Sequence, residues 1–104
     1  MENEKTINGF TVIEPKTTYY SVFDLATGKA GNLFPAHNDE EAKRIVYLSM
    51  KDIPEVMLTD LELDRVVTFD AEFHIVDNIV SVLGTFRNIK NEIDSRIEKD
   101  KEFN

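Results

Sequence analysis

Hydrophobic residues recur along the chain at two different spacings, and each spacing predicts a different kind of element. Residues 19–25, Tyr-Tyr-Ser-Val-Phe-Asp-Leu, are rich in types that favour β-strands. Residues 27–32 contain two glycines and suit a turn. The hydrophobic pair Leu33-Phe34 resumes the pattern before Pro35. This part of the chain therefore predicts a β-hairpin.

A helix start follows at residues 38–41, Asn-Asp-Glu-Glu. The Asn38 side chain can accept a hydrogen bond from an early helical N–H, and Glu41 can reach back to the cap. The helix is predicted over about residues 39–51, because Asp52-Ile53-Pro54 stops it. Its predicted buried face consists of Ala42, Ile45, Val46 and Ser49.

The spacing changes to two in the second half of the chain. Leu61 and Leu63 alternate with acids, which is typical of a strand with one side in water. Residues 66–69 and 73–76 flank Asp-Ala-Glu and predict a second hairpin. Residues 79–83 predict another short strand, which Gly84 is expected to end.

The last hydrophobic pattern has helical spacing within a highly charged run. It predicts an amphipathic helix over about residues 85–101. An isolated helix of this length is marginal in water, so its apolar stripe must be buried. The stripe could lie across the chain's own sheet or pair with the same helix of a second copy, and the narrow stripe favours self-association. The stripe consists of Phe86, Ile89, Ile93 and Ile97.

Together these elements predict an α+β fold with a mostly antiparallel sheet of four to five strands, one central helix and one C-terminal helix. The 104 residues suit a single domain. We divide it into an N-terminal extension over 1–18, partly frayed, a core over 19–84 and the C-terminal helix over 85–104.

Composition points to the cytoplasm. The chain has no cysteine, so disulfides and thiolate chemistry are excluded. Residues 1–5, Met-Glu-Asn-Glu-Lys, precede no apolar run and do not resemble a signal peptide. The apolar runs are too short to cross a bilayer, so we expect no membrane association.

Charge is concentrated in one part of the chain. The net charge is −8, and residues 52–77 hold eight acids against Arg65 alone. Such a stretch either forms a solvated sheet face that favours solubility or meets a basic partner. The candidate partner-binding acids within it are Asp60, Glu62, Asp64, Asp70 and Glu72.

No pattern of catalytic residues stands out, so we expect a protein that is not an enzyme. His37 and His74 lie far apart and in no ligand-spaced motif. The glycines match no phosphate-binding loop. The alternate acids at 60, 62 and 64 would form a row too long to chelate one ion, which leaves no metal site. We expect no cofactor.

Single-stranded nucleic acid is a further candidate ligand, because such proteins combine aromatic platforms with basic groups. Both types occur in the half of the chain that is not strongly acidic. The same aromatic residues would equally serve as core. The candidate nucleic-acid-binding residues are Lys16, Tyr19, Phe23, Lys29, Lys43, Arg44 and Tyr47.

Two segments resemble a known family. Residues 20–24, Tyr-Ser-Val-Phe-Asp, precede a glycine-containing turn, and residues 34–44 read Phe-Pro-Ala-His-Asn-Asp-Glu-Glu-Ala-Lys-Arg. This order is similar to the small nonstructural protein of gokushoviruses, a group of single-stranded DNA microviruses of bacteria. Residues 58–64, Leu-Thr-Asp-Leu-Glu-Leu-Asp, resemble that family's Leu-x-x-Leu-Gly-Glu-Phe-Asp strand, without its glycine and with Leu63 in the aromatic place.

The resemblance covers about residues 19–84 and implies a non-virion protein of the infected bacterial cytoplasm. It implies a role in genome replication or packaging, through single-stranded DNA or a replication protein. A second hypothesis comes from the charge: an acidic inhibitor that imitates DNA and binds a host defence or regulatory protein through residues 52–77.

Overall fold

The computed structural model describes residues 3–7 and 10–103. The first two strands, β1 (Asn3–Ile7) and β2 (Phe10–Glu14), pair antiparallel as a separate two-stranded sheet. Their register runs from Asn3 opposite Glu14 to Ile7 opposite Phe10. Both strands lie within the N-terminal extension of the sequence analysis, and each supplies backbone partners to the other.

The predicted first hairpin is confirmed. Strand β3 (Thr17–Asp24) pairs antiparallel with two short strands, β4 (Lys29–Ala30) and β5 (Phe34–Ala36). The Asp24 carboxylate accepts from the backbone N–H groups of Ala26 and Thr27, at 2.9 and 3.3 Å. Gly28 closes this turn at φ +72°, a left-handed conformation that glycine adopts without steric cost.

Helix α1 (Asp39–Ser49) begins where the sequence predicts, and Asn38 Oδ1 accepts from the Glu41 N–H at 2.8 Å. Glu41 reaches back one residue beyond the cap, since its Oε1 accepts from the His37 N–H at 3.1 Å. A 3₁₀ turn at Met50–Asp52 continues the helix, and a second one follows at Glu55–Met57.

The predicted buried face of α1 is only half correct. Ala42 and Val46 are buried, but Ile45 is 42% exposed and Ser49 is exposed. The buried stripe runs from 42 to 46 to Met50, at a strict spacing of four. Residues four apart lie on one face of a helix, so these three form one narrow row, and Ile45 and Ser49 lie beside it.

The main sheet has six strands, all antiparallel, and β6 (Leu61–Phe69) is its central strand. β6 pairs with β3 along one edge. Along the other edge it pairs with β7 (Ile75–Asp77) and with β8 (Ser81–Thr85). The α+β class, the antiparallel sheet and the second hairpin are confirmed. Gly84, expected to end a strand, lies inside β8 at a bulge with φ +141°.

Helix α2 (Phe86–Phe103) confirms the predicted C-terminal helix. The Thr85 hydroxyl accepts from the Asn88 N–H at 3.2 Å and caps its first turn. Phe86 and Ile89 are 2% and 1% exposed, so these two residues belong to the chain's own core. The other two residues of the predicted self-association stripe are less buried: Ile93 is partly buried against the core and Ile97 is 41% exposed.

Both helices pack on one side of the sheet, which we call the first face. Strand residues alternate between faces, and Tyr20, Val22, Leu61 and Leu63 point to the helices. The other side, the second face, carries Tyr19, Ser21, Phe23, Glu62, Asp64, Val67 and Phe69. Within the described residues no helix is long and apolar enough to span a membrane.

Candidate partner-binding surface

Two of the candidate nucleic-acid-binding residues are engaged between the helices. Lys43 Nζ lies 3.3 Å from Glu92 Oε2 and 3.8 Å from Glu40 Oε1, and its side chain is only 17% exposed. The Tyr47 hydroxyl donates to Asp94 Oδ1 at 2.6 Å, and this hydrogen bond raises the pKa of Tyr47. Both side chains therefore join α1 to α2.

The rest of that set is spread over other parts of the surface. Tyr19 and Phe23 lie on the second face, where the Tyr19 ring meets Phe69 edge to face at 5.7 Å. Lys29 is exposed in β4, and Arg44 is exposed on α1. Lys16 is half-buried before β3. The structure does not bring the seven residues into one basic groove.

The acidic set divides into two groups along β6. Glu62 and Asp64 share the second face, opposite Phe23 and Ser21 of β3, and Asp60 is exposed just before the strand. Asp70 and Glu72 lie in the turn after β6. At about 3.3 Å per residue, the eight steps from Glu62 to Asp70 span roughly 26 Å. The acids thus form a long row with two ends rather than one compact cluster.

Asp64 is the most perturbed acid of the row. Burial raises the pKa of Asp64 to about 6, and a hydrogen bond to Glu62 and the Glu62 charge act in the same direction. Its Oδ1 atom is buried, and the described residues give it no hydrogen-bond partner. An ionised Asp64 is therefore costly in the free protein, and a cation brought to this face would relieve that cost.

The turn at the other end is ordered by Asp70. Its Oδ1 accepts from the backbone N–H groups of Glu72 and His74, both at 2.9 Å, which lowers the pKa of Asp70. His74 Nδ1 lies 3.5 Å from Asp70 Oδ2. Asp70 therefore has a structural role in the turn, whereas the Glu72 side chain is 67% exposed, with its Oε2 atom 3.8 Å from His74 Nδ1.

The Lys and Arg side chains of residues 15–100 that form ion pairs do so with acids outside this row. Lys43 and Arg96 pair with Glu40 and Glu92, Lys90 pairs with Asp94, and Arg87 pairs with Glu55. Arg65, the one Lys or Arg between 52 and 77, points to the first face. Its Nη1 donates to Asp39 Oδ2 at 2.7 Å, and Asp39 also accepts from the Tyr20 hydroxyl. Within residues 15–100 no Lys or Arg is thus paired with an acid of the row, and His74 is the basic side chain beside Asp70 and Glu72.

An exposed apolar segment, which the sequence pattern did not single out, adjoins the acidic row. Every residue from 71 to 80 is exposed. The sequence does contain a signal: the strand positions here are apolar on both sides instead of alternating with polar residues. The large apolar side chains that remain in solvent are Phe73, Ile75, Val76, Ile79, Val80 and Val82.

Neither histidine lies in an arrangement typical of catalysis. His37 Nδ1 lies 2.9 Å from Glu41 Oε2, a pair that belongs to the cap of α1, and His74 belongs to the turn after β6. Among the described residues no group of three His, Asp or Glu side chains comes close enough to hold a metal ion.

No protein-family model, no curated protein and no solved structure matches this chain. The arrangement of its own residues therefore carries the functional argument.

Proposed function

We propose that this chain is a non-catalytic accessory protein that binds a basic protein surface through the acidic row along β6. One observation carries the proposal: within residues 15–100 the Lys and Arg side chains that form ion pairs neutralise acids elsewhere, and none of them neutralises the row. Complementary charge speeds association and disfavours wrong partners. This is the charge pattern of a protein that occupies a nucleic-acid-binding surface of its partner.

The second face is suited to such a partner because it combines charge with apolar area. Glu62 lies opposite Phe23 on β3, and Asp64 lies opposite Val82 on β8, which is 61% exposed. Lys and Arg side chains have long apolar stems beneath their charged ends. They can therefore cover the Phe23 and Val82 side chains while their cations meet the two carboxylates.

The resemblance to the gokushovirus nonstructural protein supports a biological setting. In that setting the protein acts in the cytoplasm of an infected bacterium, and its partner is a replication, packaging or host defence protein. Proteins of these kinds bind DNA through basic surfaces. An acidic row is complementary to such a surface.

Removing charge from the row is expected to weaken binding. The probe is a labelled peptide of about a dozen residues with alternating Lys and Ser. Asp60→Asn combined with Glu62→Gln should weaken its binding about fivefold at low salt, mainly through a slower on-rate. The measurement is fluorescence anisotropy with stopped-flow association.

The matched control removes two exposed charges from α2 with the change Glu98→Gln and Asp100→Asn. Both variants lower the net negative charge equally, so a general charge effect would weaken binding equally in the two. Equal weakening, or no weakening in the β6 variant, would exclude the row as the binding site.

Direct binding of single-stranded DNA is the second candidate function. It is favoured by the position of Tyr19, Phe23 and Phe69 on one sheet face, because aromatic side chains on a sheet can stack with bases. Glu62 and Asp64 lie on the same face and would repel phosphates. We therefore place this function second.

A further inference from the structure

The tip of the β6–β7 hairpin holds an aromatic residue in an unfavourable backbone conformation. Phe73 has φ +64° and is the one non-glycine residue with positive φ in the described part of the chain. Left-handed conformations suit Gly and Asn, and a bulky side chain raises their energy. The side chain gains little contact in return, because Phe73 is 79% exposed.

Hydrogen bonds within the turn explain why the backbone adopts this conformation, but they do not explain why the residue is a phenylalanine. The Phe73 N–H donates to the Asp70 carbonyl at 3.1 Å, and the Asp70 N–H donates to the His74 carbonyl at 2.9 Å. Glycine or asparagine would satisfy the same bonds with less strain. A strained, exposed aromatic on a hydrogen-bonded turn is therefore a feature that folding alone does not require.

Phe73 is one end of a larger exposed surface, which we call the hairpin arm and define as residues 70–82. Ile75, Ile79 and Val80 are 60%, 73% and 58% exposed. Concentrations of exposed apolar side chains on one segment mark interaction sites. Since β7 and β8 pair only with β6 in the described sheet, the arm also forms an edge to which other chains have access.

The charge around the hairpin arm favours one kind of binding partner, a basic protein, over a second copy of this chain. Residues 66–86 contain Asp70, Glu72 and Asp77 and no Lys or Arg. Two copies that met through this arm would bring the same three acids together, and like charges at an interface disfavour association. A basic partner is attracted by the same acids. Charge complementarity thus points away from a second copy and towards a basic protein.

We propose that the hairpin arm docks on a partner protein that offers an apolar pocket for Phe73 with Lys or Arg side chains at the rim of that pocket. The proposal rests on the function proposed above and adds the apolar half of the recognition. Phe73 is the anchor, since buried aromatics dominate interface energies. Glu72, beside it and 67% exposed, meets the cationic rim.

The test uses the full chain and three labelled peptides of about a dozen residues each. The first alternates Lys and Leu, the second Lys and Ser, and the third Glu and Leu. The wild-type chain is expected to bind the Lys-Leu peptide more tightly than the Lys-Ser peptide, and the Glu-Leu peptide not at all. Phe73→Gly should weaken Lys-Leu binding about fivefold and leave Lys-Ser binding unchanged. Leu48→Ala, which removes another exposed apolar side chain (71% exposed), is the matched control and should leave both unchanged.

Thermal unfolding separates docking from a structural role. Because glycine adopts φ +64° without strain, the Phe73→Gly variant should unfold at or above the wild-type midpoint. A midpoint several degrees lower would overturn the proposal, since Phe73 would then stabilise the chain itself.

Three binding results would also overturn it. One is that Phe73→Gly leaves the affinity for the Lys-Leu peptide unchanged. If the double variant Asp60→Asn with Glu62→Gln still reduces that affinity, the proposed function stands, and only the docking role of the hairpin arm is excluded. Another is absence of Lys-Leu binding to the wild type. The third is that the wild type sediments as a dimer and the Phe73→Gly variant as a monomer. The hairpin arm would then bind a second copy of this chain.

Discussion

Ile89→Asp is expected to unfold the domain or to lower its free energy of unfolding by about 3 kcal/mol or more, because it places a carboxylate in an apolar core. Ile89 is 1% exposed and packs in the same cluster as Phe86 and Leu63. The loss includes the burial of the isoleucine side chain, about 1.5–3 kcal/mol. Urea unfolding followed by circular dichroism measures it.

Ile97→Asp is the matched control two turns further along α2. Ile97 is 41% exposed, so the same change should alter the free energy of unfolding by less than about 0.5 kcal/mol. Equal losses at the two positions would show that the far end of α2 is also buried. Sedimentation of the wild type would then determine whether a second copy covers it.

Asp64→Asn is expected to stabilise the protein by about 1–2 kcal/mol above pH 6 and to have little effect below about pH 4. Burial, together with Glu62, raises the pKa of Asp64 from 3.8 to about 6. Between these values the unfolded chain has released the proton while the folded chain still holds it. Release of this proton on unfolding therefore lowers wild-type stability as pH rises through this window, and the loss levels off above about pH 6, where folded Asp64 is ionised as well. Partial solvent screening keeps the effect below the full value of the shift.

The measurement is urea unfolding of the wild type and the variant at several pH values between 4 and 7. Asparagine keeps the shape of the side chain and has no proton to lose, so the two stability curves should separate as pH rises. Asp60→Asn, at an exposed neighbouring position, should show no such separation. Parallel curves for Asp64→Asn would contradict the burial of its carboxylate.

Local chemistry made several elements predictable from the sequence. The cap of α1 depends on Asn38 and Glu41, which lie three residues apart, and the alternation around Leu61 and Leu63 fixes which side of β6 is buried. The start of α2 could be placed within one residue because its apolar spacing changes abruptly after Gly84. Each of these signals is contained within a few neighbouring residues.

Features that depend on distant partners could not be read in the same way. Lys43 and Tyr47 looked available for a ligand, but α2 supplies Glu92 and Asp94 as their partners from almost fifty residues away. The stripe of α2 was continuous in sequence, yet only Phe86 and Ile89 are fully buried; Ile93 packs at the edge of the core, and Ile97 is exposed because the helix extends beyond it. The strained φ of Phe73 depends on hydrogen bonds within the turn that Asp70 orders, which residue types alone do not specify.

Chemical-shift mapping by NMR tests the central claim most directly, with the labelled protein titrated separately with the Lys-Ser peptide and with a single-stranded oligonucleotide. The proposed function predicts that the peptide shifts the amide signals of residues 60–77, at low salt, and that the oligonucleotide leaves the spectrum unchanged. The contrary result is an oligonucleotide that shifts the signals around Tyr19, Phe23 and Arg44, with no response of residues 60–77 to the peptide. That outcome would make nucleic acid the ligand and exclude the acidic row as the binding surface.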